Sequence, residues 1–565
     1  MRKNDAEILN IFLEYPPVLQ NLLVSRGIRT QEEALRFFSP DFDRDTHDPF
    51  LLKGMEKAVD RILDAIERKE KIVIYSDYDA DGIPGGAMLR EFFEKIGHSN
   101  IDTYIPHRHD EGFGLHEDAV TLICENGADL IITVDCGITD VSAAGVAKQK
   151  GVDLIITDHH EAGTDLPEAF AIVNPKQPGC TYPEQILCGA GVAFKLVQGI
   201  LSKNRFGLKI GHEKWLLDLV GIATLSDMVP LTGENRAFAH FGLTVLRKSP
   251  RLGLQQLWKK LRVNQKYINE EDIGFSFTPR INAASRMGHP MDAFKLLTSK
   301  TIEEASSAAE ILEELNNERK GVVAALVKQA KKTIRDREAN GELPNILVLG
   351  NPEWKPSLLG LIANSLVEST KRPVFLWGRN GDSVLKGSCR SYNNINLVEL
   401  MKATDNAFLQ FGGHAGAGGF AVSNEAVHFL EEKLNAAYGS MMTMQAASLI
   451  AEIDGELTLQ DVQWKLFDVL QKLAPFGTGN PKPVFAFPNV CIVGIKQFGG
   501  DKNHMELVLE DTYGKTLKAI KFFASSESFK YPLMLNEFRT IIGTIEKNTF
   551  GRGGPELRLR IIDII

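Results

Sequence analysis

Between residues 71 and about 230 the chain alternates short, continuously apolar runs with stretches of helical period, the pattern of βαβ units around a parallel sheet. Three runs stand out: KIVIYSDYD at 71–79, DLIITVDCG at 129–137 and DLIITDHH at 153–160. DLIIT occurs twice, 24 residues apart. That step accommodates one strand, one helix and two short turns, but two copies do not make a solenoid. Upstream, AEILNIFLEY, QNLLVSRG and TQEEALRFF read as short helices broken by Pro16, Pro17 and Pro40, so residues 1–50 are expected to form a helical appendage to an α/β domain at 51–300. The stretch 301–340 contains no proline and one glycine and is rich in Ala, Glu and Lys, which predicts one long connecting helix. NILVLG (345–350), LLGLIANSLVES and RPVFLW (372–377) then resume the alternation as a second, smaller α/β domain at 341–446. Residues 447–565 add one helical stretch, QDVQWKLFDVLQKL, and the strand-like runs KPVFAF, NVCIVGIKQF, HMELVLED, TLKAIKFF, FRTIIGTIE and ELRLRIIDII. Five or six strands in so short a segment predict a small closed barrel.

With 44% hydrophobic and 24% charged residues, the chain falls outside the disordered, collagenous and disulfide-scaffold classes. No apolar run approaches the roughly 18 residues of a membrane span. Asp5, Glu7 and Glu14 interrupt the N-terminal apolar residues, so a secretory signal is not expected and the chain is placed in the cytoplasm. The six cysteines show no CxxC pair, which fits a reducing compartment. The net charge is −9, yet residues 451–565 hold 14 basic and 14 acidic residues, so the acidity lies upstream of the barrel and does not argue against a nucleic-acid partner.

The acidity has a focus. In Asp77-Tyr78-Asp79-Ala80-Asp81-Gly82 three carboxylates alternate directly after an apolar strand, and extended backbone points alternate side chains the same way. Alone, the motif reads equally as a solvated acidic turn or a helix cap. Three further features change the balance: Asp135 ends the second strand, Asp158-His159-His160 ends the third, and Asp227 follows a strongly apolar helix. In an open parallel sheet the strand C-termini share one edge, the usual ligand edge. Clustered carboxylates with imidazole suit a pair of hard divalent cations, Mg²⁺ or Mn²⁺, about 3.5–4 Å apart, an arrangement fitted to in-line attack on a phosphodiester.

These segments resemble the DHH phosphoesterase superfamily and, within it, the bacterial exonucleases specific for single strands. The resemblance rests on YSDYDADGI (75–83), TVDCG (133–137), TDHH (157–160), LSDMVPL (225–231), PRINAASRMG (279–288), GSCRS (387–391), GGHAGAGGF (412–420) and LAPFGTGNPKPVF (473–485), and it spans nearly the whole chain. It implies an α/β fold: a parallel-sheet DHH phosphoesterase domain, a second smaller α/β domain carrying a 5′-phosphate pocket, and an OB-like barrel that binds single strands. It also implies 5′→3′ hydrolysis of single-stranded DNA to mononucleotides, in recombination and mismatch or excision repair, with two divalent ions, Mn²⁺ or Mg²⁺. Asp79, Asp81, Asp135, His159 and Asp227 match the family's metal ligands, with Asp135 bridging and Asp77 assisting. His160 would face the scissile phosphate, and Asp158 would orient His159 or its loop. Tyr75 stands where pyrophosphatase relatives carry a metal-binding His, which favours the exonuclease branch.

The same resemblance sets Arg280 and Arg286 against the DNA backbone close to the metals, with Arg280 among the catalytic groups. It sets Ser388, Arg390, Gly413 and His414, joined by Arg108, around the terminal 5′-phosphate. Alone, GGHAGAGGF reads also as a flexible turn, and the two arginines also as partners of Glu270 and Glu271. In the barrel, Phe498, Phe522 and Phe523 are candidate stacking residues near Lys496, Lys502, Lys518 and Lys521, although alternate phenylalanines of a small barrel are usually core. The expected partners are single-stranded DNA, a single-strand DNA-binding protein and a helicase feeding unwound ends, with the chain a monomer and no membrane involved. Two other readings stand beside this one: a small-substrate phosphoesterase of the same superfamily, and a non-catalytic nucleic-acid scaffold.

Overall fold

Five consecutive buried residues form β1 (Ile72–Ser76), and five more form β3 (Leu130–Val134). Strands so apolar need cover on both faces, which helical crossovers supply. With β2 (Ile101–Tyr104), β4 (Asp153–Thr157) and β5 (Ala171–Val173) they make a parallel sheet in the order β2-β1-β3-β4-β5. Val73, Tyr75 and Ile131 pack on Ala119, Val120 and Ala143 of the helices Glu117–Glu125 and Val141–Gln149. On the other face Gly85, in the helix Gly82–Lys95, sits against Val134 and against Ala190 of the helix Gly189–Lys203. The strand order reverses between β1 and β3, the kind of point where the carboxyl ends of parallel strands open a crevice.

The structure is a computed structural model and describes residues 9–379, 384–393, 395–404, 406–442, 453–499, 504–524, 529, 532–548 and 554–565. The chain forms two compact units, one of Pro49–Asp227 and Val245–Leu449, the other of Met1–Asp48, Met228–Thr244 and Ile450–Ile565. Among the described residues, no helix is long and apolar enough to cross a membrane.

Within the first unit the helix Ile302–Ala339 starts at a capping box between Thr301 and Glu304. Its later turns, with Val323, Leu326, Val327, Ala330 and Ile334, share a core with Leu358, Leu359 and Ile362 of the helix Pro356–Thr370. That helix covers the second sheet, β6 (Leu347–Gly350), β7 (Val374–Gly378), β8 (Leu385–Arg390), β9 (Gln410–His414) and β10 (Ala417–Val422), in the order β6-β7-β8-β10-β9. β6 and β7 are parallel, and the remaining pairings are antiparallel. The glycine-rich GGHAGAGGF segment is therefore a β-hairpin, although so many glycines carry almost no strand propensity.

In the second unit, β12 (Phe485–Phe498), β13 (His504–Glu510), β14 (Thr516–Lys521), β15 (Glu537–Asn548) and β16 (Glu556–Ile564) close into a five-stranded barrel because β12 pairs with both β13 and β15. The short β11 (Gly455–Glu456) adds to β12. KPVFAF and NVCIVGIKQF join in one strand, since Pro488 and Asn489 fall in a register shift where no ladder N–H is needed. The barrel core, with Phe485, Phe487, Leu507 and Leu559, also takes in Leu19 and Leu22. Arg26 donates to Asn480 Oδ1 at 2.9 Å and to the Pro481 carbonyl at 2.7 Å. The N-terminal helices, expected as an appendage, thus add side chains to the barrel core beside a small core of their own (Phe12, Leu23, Val24, Ile28 and Ala34); the barrel partner was not visible in sequence because it lies more than 400 residues on.

Arg236, 4% exposed, holds three segments of this unit together. It donates to the carbonyls of Phe37 (2.9 Å), Leu473 (3.1 Å) and Ala474 (3.1 Å), and its guanidinium lies 3.8 Å from the Phe37 ring centre. Replacing it takes a charged donor from these buried carbonyls, of which Leu473 O keeps a second donor, Asn480 Nδ2 at 2.8 Å, so Arg236→Met is expected to cost about 3 kcal/mol of the unit's stability. A urea titration reads this as a lower midpoint; an unchanged midpoint would show that Arg236 is not the tie.

Candidate metal and phosphoester site

The sheet places the acidic residues by extending its own hydrogen-bond ladder. Asp77 N–H donates to Val134 O (3.1 Å), Asp135 N–H to Thr157 O (3.0 Å) and Asp158 N–H to Val173 O (3.2 Å), so each carboxylate leaves its strand from a backbone pinned to the neighbour. Asp135 also takes a left-handed backbone, φ +65°, a conformation kept only where the surroundings enforce it. Two glycines permit the crowding. A Cβ on Gly189 would lie 2.5 Å from Asp135 Cβ, and one on Gly82 2.5 Å from the Asp77 carbonyl oxygen. Asp79 Oδ1 accepts from the N–H groups of Asp81 (2.7 Å) and Gly82 (3.2 Å), and Asp81 accepts from Gly189 (2.6 Å) and Ala190 (2.8 Å) at the start of a helix.

The result is three overlapping sets of ligand atoms, each within 4.8 Å of one another: Asp77, Asp79 and Asp135; Asp135, His159 and His160; Asp81, His159 and Asp227. Asp135 and His159 each belong to two sets. Asp77 Oδ1 and Asp135 Oδ1 are buried without any hydrogen-bond donor. His159 Nε2 lies 3.0 Å from Asp135 Oδ1 without hydrogen-bond geometry. Its Nδ1 stands 3.8 Å from Asp227 Oδ2. Orphaned carboxylate oxygens beside a neutral imidazole are what a divalent cation would satisfy. All six residues expected as ligands, Asp77, Asp79, Asp81, Asp135, His159 and Asp227, thus meet in one place.

Burial and mutual repulsion act together on the acids. They raise Asp77 and Asp135 well above the usual carboxylate range, Asp81 to about 7 and Asp227 to about 8. Burial, with the neighbouring His160 charge, lowers His159 to about 3 and keeps it an unprotonated donor. His160 is different. Burial opposes its charge, but Asp158 Oδ1, 2.8 Å from Nδ1, outweighs burial and lifts it to about 9. Burial likewise works against the Asp158 carboxylate, and the His160 bond overcomes it and lowers its pKa. Asp158 also accepts from the N–H groups of His159 (2.7 Å), His160 (3.1 Å) and Ile138 (2.9 Å). It organises the loop as expected, but the ring it holds is that of His160 and not of His159.

Around these groups lies a pocket of about 240 Å³, whose walls add Tyr78, Arg108, Phe113, Asn282 and Arg286. Arg108, expected with the 5′-phosphate residues, lines this pocket and stacks 4.7 Å over Tyr78, and the Phe113 ring meets His160 edge-on at 5.2 Å. Arg286 is lowered to about 9, by burial first and then by the charges of Arg108 and Arg319. Arg108 and Arg286 thus stand together beside the carboxylate cluster, each charge disfavouring the other. Arg280, expected here too, is taken up elsewhere: it donates to Glu313 Oε2 and to the Ser276 carbonyl, both at 2.6 Å. The pairing foreseen for a surface arginine is real, with a partner on the long helix rather than Glu270 or Glu271. Asn282, between the two arginines in PRINAASR, holds the acidic turn through Ala80 N–H (3.1 Å). Sequence reasoning passed over Tyr78, Phe113 and Asn282, although Tyr78 and Asn282 lie inside motifs quoted above.

In the second sheet, Arg390, Ala417 and His414 lie in one row across β8, β10 and β9, and Ser388 lies two residues from Arg390 on the same face. Gly413 points to the opposite face, toward Gly418. The Arg390 guanidinium rests on Gly360 of the covering helix and donates to the Cys389 carbonyl at 2.8 Å. His414 reaches a cavity of about 630 Å³ shared with Glu161, Lys176, Gln177 and Gln185 from the first sheet's loops, so both α/β domains line this space. On the barrel, Lys518 is paired with Glu556 at 3.0 Å and Lys521 donates to the Ile562 carbonyl, whereas Phe523 stands 77% exposed; Lys502 lies outside the described residues.

A doubly covered parallel sheet with an Asp/His cluster at its switch point defines a phosphoesterase of the DHH type. Residues 71–224 match the DHH family N-terminal domain, 343–440 the DHHA1 domain and 453–563 the RecJ OB domain. The chain belongs to the RecJ family of single-stranded-DNA-specific exonucleases. It is 38% identical over 500 residues to RecJ of Bacillus subtilis, covering 88% of this chain and 62% of that protein, and 30% identical over 545 residues to RecJ of Haemophilus influenzae, covering 93% and 94%. Its fold matches the crystal structure of Thermus thermophilus RecJ in complex with Mn²⁺ with a TM-score of 0.81 at 26% identity, over 100% of this chain and 78% of that one.

The raised acids set a pH dependence. In the metal-free protein Asp81, Asp227 and His160 bind protons up to about pH 7, 8 and 9, while the unfolded chain has released them by about 3.9 for Asp and 6.5 for His. The folded state therefore holds more protons than the unfolded one above pH 6.5, and stability falls as pH rises toward 9. Cation binding needs the deprotonated acids, so the thermal stabilisation by Mn²⁺ is expected to grow over the same interval. Scanning calorimetry from pH 6.5 to 9, in EDTA and in Mn²⁺, tests both trends; a flat EDTA profile would contradict them.

Proposed function

We propose that the chain removes 5′-mononucleotides successively from the 5′ end of single-stranded DNA, using two divalent ions, Mn²⁺ or Mg²⁺. The observation that carries this reading is the overlap of three ligand sets through Asp135 and His159, beside the Arg108 and Arg286 slot. When bound, the ions would polarise the scissile phosphate and neutralise charge on the attacking and leaving oxygens. Asp77, Asp79 and Asp135 would hold one ion, and Asp81, His159 and Asp227 the other, with Asp135 bridging. His160 Nδ1 is committed to Asp158, which leaves Nε2–H to donate to a non-bridging oxygen or the leaving oxygen. Arg108 and Arg286 would grip the phosphate, while Ser388, Arg390 and His414 on the second sheet would bind the terminal 5′-phosphate and set polarity.

Single-strand selectivity belongs to this reading and is supported by the single-stranded-DNA-specific activity of the RecJ relatives. The working context is recombination and mismatch or excision repair in the bacterial cytoplasm, with the chain a monomer, a single-strand DNA-binding protein presenting the strand and a helicase unwinding ahead.

Digestion of a 3′-labelled, 5′-phosphorylated single strand tests this reading. Wild type in Mn²⁺ should shorten the labelled strand from its 5′ end and release mononucleotides. EDTA or Asp135→Ala should abolish this, and His160→Gln should slow it about 10²–10⁴-fold. Label released first, activity in EDTA, or cleavage confined to two- to five-nucleotide substrates would overturn it.

A further inference from the structure

Arg108 and Arg286 wall one pocket although the Arg108 charge works against that of Arg286, so the elements that carry them need a tie. Arg108 comes from the turn at 107–111, closed by the Glu111 N–H on the His107 carbonyl (2.9 Å); Arg286 comes from the end of the helix Thr278–Met287. The tie is His109, whose Nε2 lies 3.0 Å from the Arg286 carbonyl oxygen. A carbonyl only accepts, so the ring carries a proton on Nε2 and donates it. The last carbonyls of a helix have no partner within it, and this one is met from another segment. Burial above all lowers the pKa of His109, with the His107, Lys355 and Arg108 charges adding to it, so near neutral pH the imidazole holds a single proton. Adjacent residues of the turn thus face different ways: Arg108 lies over Tyr78, and His109 is bound to the Arg286 backbone.

Two more imidazoles pack along this junction. The His107 ring lies 5.6 Å from that of His109 and 5.5 Å from that of His289, which follows Arg286 in sequence. The base of the turn is fixed as well, since the His107 N–H (2.5 Å) and the Tyr104 hydroxyl (2.6 Å) at the end of β2 both donate to Glu111. At its other end the Arg286 guanidinium donates to the Ser357 carbonyl in the first turn of the helix Pro356–Thr370, so Arg286 is held by backbone and side chain alike. We infer that His109 is a positioning residue for the reaction: its N–H on the Arg286 carbonyl keeps the turn of Arg108 against the helix of Arg286, so that two mutually repelling cations present one anion slot. The inference rests on the reading above, in which these two arginines grip the phosphate. His109 is not among the walls of the pocket, so its effect on catalysis passes through them.

The test is steady-state hydrolysis of a 5′-phosphorylated dT trinucleotide by the full chain in Mn²⁺, with kcat and KM separated and thermal melting followed in parallel. His109→Leu removes the donor at similar volume and should raise KM about 3- to 10-fold, the effect of one hydrogen bond, with kcat within about 2-fold of wild type. His109→Gln, which keeps an N–H donor, should return most of that loss. Arg108→Ala should raise KM on its own, and in that background His109→Leu should add less than about 2-fold, because the pair it holds together is gone. Should His109→Leu fail to fold, His109→Phe, which keeps a ring against His107 and drops the donor, takes its place with the same expectations. A wild-type KM in the donor-less variant, a His109→Gln as impaired as that variant, or the same factor with and without Arg108, as a merely structural role would give, would overturn the inference and leave the phosphate grip standing. A wild-type KM in Arg108→Ala would overturn the grip itself.

Discussion

Several carboxylates held in one buried pocket repel each other, and the first unit is arranged around that repulsion. Flexible side chains would relieve it by swinging apart. Here Asp77, Asp135 and Asp158 leave strand ends whose N–H groups are tied to the next strand, Asp79 and Asp81 accept backbone N–H groups at the turn into a helix, and Gly82 and Gly189 let the backbones close in. The charge cannot disperse, so it is answered either by protons, as the raised pKa values of Asp81 and Asp227 express, or by cations. The cluster is in this sense a store of protons that divalent ions would displace.

The positive side of the pocket follows the same logic. Arg286 is depressed by burial and by neighbouring arginines, so it is short of anions while carboxylates a few ångströms away are short of cations. A phosphodiester with its metal ions would satisfy both deficits at once. His160 sits between them, kept protonated by Asp158 while His159 next to it is kept neutral by burial. Adjacent histidines in one motif therefore hold opposite protonation states, and only the packing of their side chains distinguishes them.

Much of this was legible in sequence wherever the signal was local. The strands before Asp77, Asp135 and Asp158 are continuous apolar runs, and the long helix opens on its own capping box at Thr301 and Glu304. What escaped depended on distant partners. The N-terminal stretches read as short helices, but nothing local showed that Leu19 and Leu22 enter the barrel core. Arg280 and Arg286 look equivalent in PRINAASR, yet Glu313 engages one and the pocket takes the other. The glycine-rich hairpin of β9 and β10 was hidden because its strand conformation comes from pairing, not from side-chain propensity.

Asp135 stands at the centre of the account, as the carboxylate common to two ligand sets. Titration of the metal-free chain with Mn²⁺, followed by electron paramagnetic resonance, addresses this role directly. The account predicts two ions per chain with a spin-coupled signal, and in Asp135→Asn both loss of the coupling and weakening of both sites. A single ion per chain, or an Asp135→Asn variant that keeps a coupled pair, would contradict it.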